Sequence, residues 1–468
     1  MALLSFILEE VSTETQSWDG TPYKPWPKVQ SVIDEAFGDL LHGSPWLAQF
    51  SEALRVQTGE ALVRRIDHLA LPAGRYAQRL ADVGFTINDA ANANEARAQH
   101  SNAFVPPIYL RHDAQARCAI AVESVEAFVA SYPNADRDAP IEGAEGSPSR
   151  RCQIANSPSV DVWVAERWGA TPWDLDDRSV TEREDAARHL QAFRSRLRNE
   201  GPASTMLGNL FRDLRENIRQ AIDDLGPNWA AALFFRAERE HWVAQTPAAQ
   251  VQAHRQDAWG LGWANHDHHT YRCSRVWFAE TIAVLELLGL VPREAFHAGA
   301  EAGWGAQVLE HPELPFVAFA DVDLSPSELT NDFARSSLAP QDTLGTVGLW
   351  CGLHGEAMFG AGLHHLACYF DFDALPAQLY ERAIEVMPSF TDLPELRQAF
   401  TVASLRPVAP ERLDALRRAG LITTAQAETF ARQGALGSHI EIIERRQAYK
   451  GFHQQGINSI ITGTDPRR

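Results

Sequence analysis

Residues 437–446, Gly-Ser-His-Ile-Glu-Ile-Ile-Glu-Arg-Arg, place a carboxylate among isoleucines. Isoleucine favours strands, and successive side chains of a strand point to opposite faces. Glu441 then shares one face with His439 and Ile443, and its direct neighbours occupy the other. An unpaired buried carboxylate is costly, so it protonates, pairs with a cation or binds a metal ion. The stretch therefore predicts a strand on which Glu441 is a candidate metal ligand.

Two histidines share a context in which an Asp-His pair begins a strand and a helix follows. His68 lies in segment 67–85 and His268 in segment 267–290, and the two segments resemble copies of one β-α-β start. Two neutral imidazoles and one carboxylate on facing strands form a facial triad, which leaves positions open for substrate and dioxygen. Such a triad suits non-haem Fe(II). We therefore predict that His68, His268 and Glu441 are the catalytic metal ligands and that Fe(II) is the cofactor.

Each of these residues also has a simpler interpretation. A single histidine on a strand is more often a core or surface residue than a ligand. His266 and His269 lie beside His268 and are alternative ligands. Glu441 could instead pair with one of the arginines at 445–446, and its segment also tolerates helical spacing.

A second set of candidate ligands lies within residues 349–370. It comprises His354, Glu356 and either His364 or His365. A His-x-Glu pair with a further histidine can also form a metal triad. The small apolar residues around them favour instead a buried segment whose histidines are hydrogen-bonded to carbonyl groups. The same residues could also line the pocket and orient ligands or donate protons.

The strands that must position these groups alternate with helical stretches. The repeated β-α-β start predicts an α+β fold, with paired βαβββ modules forming a half-open barrel around the metal. Ser179 and Glu182 fit a capping box at the start of a helical insertion. We predict a helical N-terminal segment at residues 1–60 and a first βαβββ module at residues 61–178. A helical insertion follows at residues 179–262. The second module spans residues 263–468 and contains a helical insertion of its own at about 325–433.

Composition excludes several classes of function. The chain has 468 residues and a formal net charge of −19, which repels nucleic acid and anionic membrane surfaces. Its five cysteines form no Cys-x-x-Cys pair, which favours free thiols in a reducing compartment. The start, residues 1–10, reads as an amphipathic helix and not a signal peptide. No apolar run approaches the ~18 residues of a membrane span, so a cytoplasmic protein is expected.

Motifs of two other enzyme classes are missing from the sequence. There is no Gly-x-Ser-x-Gly elbow of the kind that presents a serine nucleophile. There is also no glycine-rich loop ending in Lys-Ser or Lys-Thr that would cradle phosphate groups. A nucleophilic hydrolase and a protein that binds phosphate through a glycine-rich loop are therefore poorly supported.

The Asp-His strand followed by a helix and the stretch 439–446 resemble the vicinal oxygen chelate superfamily. Within it, Glu-Ile-Ile-Glu-Arg-Arg is similar to the last strand motif of hydroxyphenylpyruvate dioxygenase. Residues 241–272 and 428–446 resemble stretches of the 2-oxoadipate dioxygenase/decarboxylase (hydroxyglutarate synthase) family. The resemblance implies that His68, His268 and Glu441 bind iron and that Arg272 contacts a substrate carboxylate.

This resemblance implies an Fe(II)-dependent dioxygenase that decarboxylates and hydroxylates one small 2-oxo acid. The partners would be that acid and dioxygen. Pro72 stands where the family has arginine four residues after the first histidine, which suggests a substrate tail that is neutral or aromatic. Two alternatives are a glyoxalase-type isomerase or lyase, which uses its metal without redox chemistry, and a non-catalytic binding protein on the same fold.

Overall fold

The computed structural model describes residues 23–89, 95–170, 175, 178–196, 204–297, 303–328, 332–336, 338–391, 393–453 and 463–467. The helix expected at residues 1–10 lies outside this part of the chain. Two helices, α1 (Pro27–Gly43) and α2 (Pro45–Thr58), precede the first sheet. Ser44 is the N-cap of the second helix, and its hydroxyl accepts a hydrogen bond from the backbone N–H of Leu47.

The first sheet has eight strands, in the order β2-β3-β4-β1-β5-β8-β7-β6. Its strands and the helices between them are β1 (Ile66–Pro72), α3 (Ala73–Asp82), β2 (Thr86–Asp89), β3 (Glu95–Gln99), β4 (Ile108–Arg111), β5 (Ala116–Val122), α4 (Val125–Ser131), β6 (Ile141–Glu142), β7 (Ser149–Asn156) and β8 (Val160–Arg167).

Four helices separate the two sheets: α5 (Val180–Arg196), α6 (Ser204–Leu225), α7 (Pro227–Gln245) and α8 (Pro247–Asp257). The predicted capping box before α5 is confirmed: the N–H of Ser179 donates to the Glu182 carboxylate, and the N–H of Glu182 donates to the Ser179 hydroxyl. Helix α7 is buried along most of its length and shares one hydrophobic core with the second sheet.

The second sheet has seven strands, in the order β10-β11-β12-β9-β13-β17-β14. The elements in this half are β9 (His266–Cys273), α9 (Phe278–Leu287), β10 (Val291–His297), β11 (Trp304–Glu310), β12 (Val317–Asp323), α10 (Thr346–His354), β13 (His365–Tyr369), α11 (Ala374–Tyr380), β14 (Leu396–Phe400), β15 (Leu405–Arg406), α12 (Pro410–Arg418), α13 (Thr424–Gln433), β16 (Ala435–Leu436) and β17 (His439–Arg445). Strands β15 and β16 form a separate two-stranded sheet.

The two large sheets repeat one topology. In each, the first strand runs parallel to the fourth and antiparallel to the fifth, and the fifth is parallel to the strand that follows it in the sheet. Neither sheet closes on itself among the described residues. The predicted α+β fold with paired βαβββ modules is therefore confirmed.

The segment predicted as a helical insertion at about 325–433 differs from that expectation. It contains β13 and β14, which belong to the second sheet, as well as helices. Strand β13 is paired on both edges, by β9 and β17, so it is an interior strand. All five of its residues, His365–Tyr369, are buried, so the sequence shows no alternation of polar and apolar residues there. Without that alternation the strand could not be predicted from the sequence.

All five cysteines are buried and free, in agreement with the expected thiols. No helix in the described ranges combines the length and the apolar character needed to cross a membrane.

Candidate metal centre

A cavity lies on one face of the second sheet, where β9, β12, β13, β14 and β17 meet. Four phenylalanines form much of its wall: Phe319, Phe390, Phe400 and Phe452. The polar groups that face it are His268, Thr270, Arg272, Asp321, His364, His365, Gln398, Glu441 and Thr464. The volume of the cavity is about 50 Å³. That is room for an ion and a few water molecules.

Three of these polar side chains converge on one point. The Nε2 atom of His268 lies 3.2 Å from Oε2 of Glu441, and Nε2 of His365 lies 3.0 Å from the same oxygen. All three residues are buried, and their ligand atoms lie within 4.8 Å of one another. Two imidazole nitrogens and one carboxylate oxygen at this spacing are a donor set for a divalent transition metal.

The register of three neighbouring strands produces this convergence. His268 on β9 and Glu441 on β17 are both paired with the same residue of β13, Ala367. Paired residues point to the same side of a sheet, so the imidazole and the carboxylate flank Ala367. The methyl group of Ala367 leaves the space between them open. His365, two residues before Ala367, lies on the same face and completes the group.

A buried ion pair fixes the orientation of His268. Its Nδ1 lies 2.7 Å from Oδ1 of Asp267, and Asp267 in turn accepts hydrogen bonds from Arg445 Nε at 2.7 Å and Nη2 at 3.2 Å. With Nδ1–H donating to Asp267, the Nε2 lone pair of His268 faces the cavity. A carboxylate behind a ligand histidine is a common support of metal sites.

The other two members of the group also have buried partners. Gln398 Nε2 donates to Glu441 Oε1 over 2.6 Å, which leaves Oε2 for the two histidines or an ion. The Nε2 atom of His365 lies 2.8 Å from the Thr270 hydroxyl, and its Nδ1 lies 3.1 Å from Nδ1 of His364. Each ligand therefore has a neighbour that restricts its rotation.

The charges of the group reflect its own ion pairs. Burial opposes a charge on His268, but Glu441 and Asp267 outweigh it and raise the pKa of this imidazole to about 9. Burial also opposes a charge on Glu441, yet the two histidines hold the pKa of this carboxyl well below its usual range. Burial lowers the pKa of His365. Without a metal ion, the group therefore holds one proton on His268 against the Glu441 carboxylate.

The structure brings together two of the three predicted ligands, His268 and Glu441, and adds His365. It does not bring His68 to them. His68 lies on β1 in the first sheet, with Nδ1 2.7 Å from Asp67 and its ring against Tyr109. The candidate metal group therefore consists of His268, His365 and Glu441. This corrects the prediction that His68 is its third ligand.

The first module shows why His68 has no such group around it. By strand register, the positions equivalent to His365 and Glu441 are Arg117 and Trp163. An arginine repels a metal ion, and an indole offers it no lone pair. Arg117 instead donates to Glu95 over 3.0 Å. A permanent cation therefore takes the position of one of the candidate ligands in the first module.

The rival ligands lie in other surroundings. His354 Nε2 is 2.9 Å from the carbonyl oxygen of Leu436, and Glu356 accepts a hydrogen bond from the backbone N–H of Ser274. His266 is bonded to carbonyl groups, with Nδ1 3.1 Å from that of Trp263. His269 points to the opposite face of β9 and packs against Phe235 and Phe316. None of these four belongs to the candidate metal groups found among the described residues.

A further group shares His365. His364, His365 and His439 also place one ligand atom each within 4.8 Å of one another. His439 stacks on His365 with an interplanar angle of 17°, and burial holds the pKa of His364 and of His439 well below the usual range. The rings of His364 and His439 are therefore neutral, and both contact the ring of His365.

Arg272 lies in the same cavity, four residues after His268 on the same face of β9. It is 1% exposed, and its Nη2 donates to the Thr464 hydroxyl over 3.1 Å. Pro72, the register equivalent of Arg272 in the first module, lines a different hollow beside α1 and α3. Pro72 therefore has no bearing on what the cavity binds.

Four site residues were not identified from the sequence as parts of this centre: Asp267, Asp321, Ala367 and Gln398. His365 was predicted only as a member of the second candidate group or as a residue lining the pocket, and not as a ligand together with His268 and Glu441. A usable signal was present for His365. The last strands of the two modules can be aligned on a shared final Glu-Arg. The first reads Val-Trp-Val-Ala-Glu-Arg and the second Ile-Glu-Ile-Ile-Glu-Arg, so Trp163 takes the alignment position of Glu441. A first module without the carboxylate indicates that all ligands come from the second.

Comparisons with known proteins give likeness in structure alone. No protein-family model matches the chain, and no curated protein matches it. A mutant of 4-hydroxymandelate synthase from Streptomyces coelicolor is similar at 11% identity and a TM-score of 0.29, over 86% of this chain and 98% of that one. Methylmalonyl-CoA epimerase from Mycobacterium tuberculosis is similar at 14% identity and a TM-score of 0.23, over 39% of this chain and 88% of that one.

Proposed function

We propose that this chain is a mononuclear Fe(II)- and dioxygen-dependent oxygenase of the vicinal oxygen chelate type. Its substrate would be a small 2-oxo acid, which it decarboxylates and hydroxylates in one reaction. The observation that supports this most directly is the buried group of His268, His365 and Glu441 on one face of one sheet. Two histidines and one carboxylate on one side of an ion are the ligand set of non-haem Fe(II) oxygenases.

The donor set fits an ion of this kind. His268 offers Nε2 because Asp267 engages its Nδ1, and Glu441 offers Oε2 because Gln398 engages its Oε1. A bound Fe(II) would supply the redox chemistry through which dioxygen reacts with an organic molecule. His268, His365 and Glu441 would hold the ion from one side and leave its other side open to a small 2-oxo acid and dioxygen.

Other residues of the cavity would bind and enclose the acid. Arg272 carries a positive charge on the same strand face as His268, about 13 Å away along the strand, and its long side chain reaches back toward the metal group. The phenylalanine wall excludes water from the reacting groups.

Dioxygen consumption by the iron-loaded protein tests this proposal. The protein would be loaded anaerobically with Fe(II) and mixed with a panel of 2-oxo acids, and dioxygen uptake and CO₂ release would be measured together. We expect equal amounts of both with at least one acid. The Glu441→Gln variant should lose both activities. Glu444→Gln is the matched control, because Glu444 lies on the opposite face of the same strand.

Other outcomes would contradict the proposal in distinct ways. Conversion of a carbonyl substrate without dioxygen, supported also by redox-inert divalent metals, would indicate a glyoxalase-type isomerase or lyase. Failure of the wild-type protein to bind any divalent metal would indicate a binding protein without this chemistry.

A further inference from the structure

Three buried histidines lie close together beside the candidate metal group. His365 and His439 are register partners on the neighbouring strands β13 and β17, and His364 is the residue before β13. The exposed fractions are 2% for His364, 7% for His365 and 1% for His439. The ligand atom that each ring offers lies within 4.8 Å of the other two. This histidine cluster shares His365 with the candidate metal group and neither of that group's other members.

Ring contacts and one hydrogen bond hold the histidine cluster together. Nδ1 of His364 lies 3.1 Å from Nδ1 of His365. The ring of His439 stacks on that of His365, and its centroid lies 4.6 Å from the centroid of His364. Nε2 of His439 is buried and has no hydrogen-bond partner among the described residues. Native structures rarely keep such an atom unless a ligand or water meets it, so this nitrogen points to a ligand.

The donor atoms of the histidine cluster favour one kind of ion. All three are imidazole nitrogens, and the cluster contains no carboxylate and no thiol. A given set of nitrogen donors binds Zn²⁺ more tightly than Fe²⁺. Three histidines with a fourth position left for water also form a known zinc arrangement in enzymes. The cluster is therefore suited to Zn²⁺, whereas the candidate metal group with its carboxylate is suited to Fe(II).

The charged side chains near the histidine cluster offset each other. Arg272 places a positive charge near all three rings, and Glu441 places a negative charge near His365 and His439. The guanidinium repels a cation and the carboxylate attracts it. The surroundings therefore leave the cluster open to an ion that neutral rings bind.

One lone pair of His365 couples the histidine cluster to the candidate metal group. Nε2 of His365 lies 3.0 Å from Oε2 of Glu441, whereas its Nδ1 faces His364. A neutral imidazole has a lone pair on one ring nitrogen and a proton on the other. An ion that binds Nδ1 therefore leaves the proton on Nε2, where it donates to Glu441. The candidate metal group then lacks one of its three ligands.

We propose that His364, His365 and His439 form a second metal site, which binds Zn²⁺, and that this site and the candidate metal group exclude each other because both need His365. Zinc in the histidine cluster then keeps the protein free of iron. Zinc binding does not depend on the proposed oxygenase reaction. Only the identity of the excluded ion, Fe(II), rests on the proposed function.

Zinc content of variants that keep one site at a time tests the inference. The double variant His268→Ala/Glu441→Gln removes two ligands of the candidate metal group and keeps the whole histidine cluster. The metal-free protein would be dialysed against buffered Zn²⁺, and bound zinc would be measured by elemental analysis. We expect about one Zn²⁺ per chain. Addition of His439→Ala or of His364→Ala to the double variant should reduce bound zinc to near zero.

Thermal unfolding shows which variants are folded, and either added substitution decides the test if the other prevents folding. His254→Ala is the matched control in the same double variant, because it removes an exposed histidine of α8. It should leave bound zinc unchanged.

The wild type tests the mutual exclusion. His439→Ala alone breaks the histidine cluster and keeps His268, His365 and Glu441, so it should also bind about one Zn²⁺. At a zinc concentration that fills both this variant and the double variant, two independent sites would give two ions per wild-type chain. Because His365 has one lone pair to share, we expect about one.

Three results would overturn the inference: a folded double variant without zinc, zinc binding by it that survives the loss of His439 or His364, or two Zn²⁺ per wild-type chain. Failure of the proposed function gives a different result. Zinc in the histidine cluster together with no dioxygen consumption by the iron-loaded protein would leave this inference standing and reject the oxygenase.

Discussion

His68 and His268 occupy equivalent positions in the two modules, and each places its Nδ1 2.7 Å from the carboxylate of the aspartate before it. The equivalence extends one step further. Arg167 pairs with Asp67 as Arg445 pairs with Asp267. The buried His-Asp-Arg arrangement is therefore a feature of the repeated module, whereas the candidate metal group lies, among the described residues, in the second module.

Substitution of the histidines should separate these two roles. We expect His365→Ala to reduce bound iron from about one ion per chain to near zero, because two protein ligands do not hold Fe(II) firmly. The variant His68→Ala should retain iron at the wild-type level. Elemental analysis of both purified proteins after anaerobic loading measures this. Loss of iron from His68→Ala alone would contradict the assignment of His365.

Asp267, which accepts a hydrogen bond from His268, should strengthen metal binding. Asp267→Asn removes the charge that orients His268 and supports its Nε2 as a donor, so we expect iron affinity to fall about 10–100-fold. Asp67→Asn makes the same change in the first module and serves as the control. Competition with a chelator of known affinity gives both constants. Equal affinities for the two variants would show that Asp267 does not act through the metal.

A larger side chain at position 367 should abolish metal binding, and this effect should be separate from its cost in stability. In Ala367→Val, two added methyl carbons enter the space between His268 and Glu441, so we expect metal binding to be lost. The stability cost of overpacking should be about 1–3 kcal/mol. Ala119→Val, at the equivalent buried position of the first module, should show a similar stability cost and normal metal binding. Thermal unfolding with metal analysis distinguishes the two effects.

Metal binding should release a proton at neutral pH. In the metal-free protein the pKa of His268 is raised to about 9, so its imidazole is protonated at pH 7, while Glu441 is ionised and His365 is neutral. A metal needs the unprotonated nitrogen, so affinity should rise about tenfold per pH unit up to pH 9 and then level off. Anaerobic calorimetry at pH 7 should count about one proton released per ion. Affinity that is constant between pH 7 and pH 9 would contradict this account.

The sequence predicted the repeated module and two strands of the site well. Glu441 between isoleucines and the Asp-His pair at 267–268 are local patterns, and both lie where alternation along a strand places them. The third ligand could not be found in the same way. Its neighbours on β9 and β17 lie far from it in sequence, and only strand register shows that His365 faces them.

The position of Asp321 in the cavity could not be predicted from the sequence for a different reason. It is one of two aspartates in Ala-Asp-Val-Asp near the end of β12, and both share a face. Asp323 accepts hydrogen bonds from the backbone N–H groups of Gly345, Val347 and Gly348 at the start of α10. Asp321 instead faces the cavity. The two carboxylates differ only in what the folded chain brings to them, and no local pattern carries that information.

Arg117 carries a permanent positive charge at the position of the first module that is equivalent to His365 in the second. The first module therefore has this charge in its own sequence. In the second module the Glu441 carboxylate is balanced by the proton on His268, or by a metal ion where one is bound. The balancing charge of the second module can therefore be exchanged, whereas that of the first cannot.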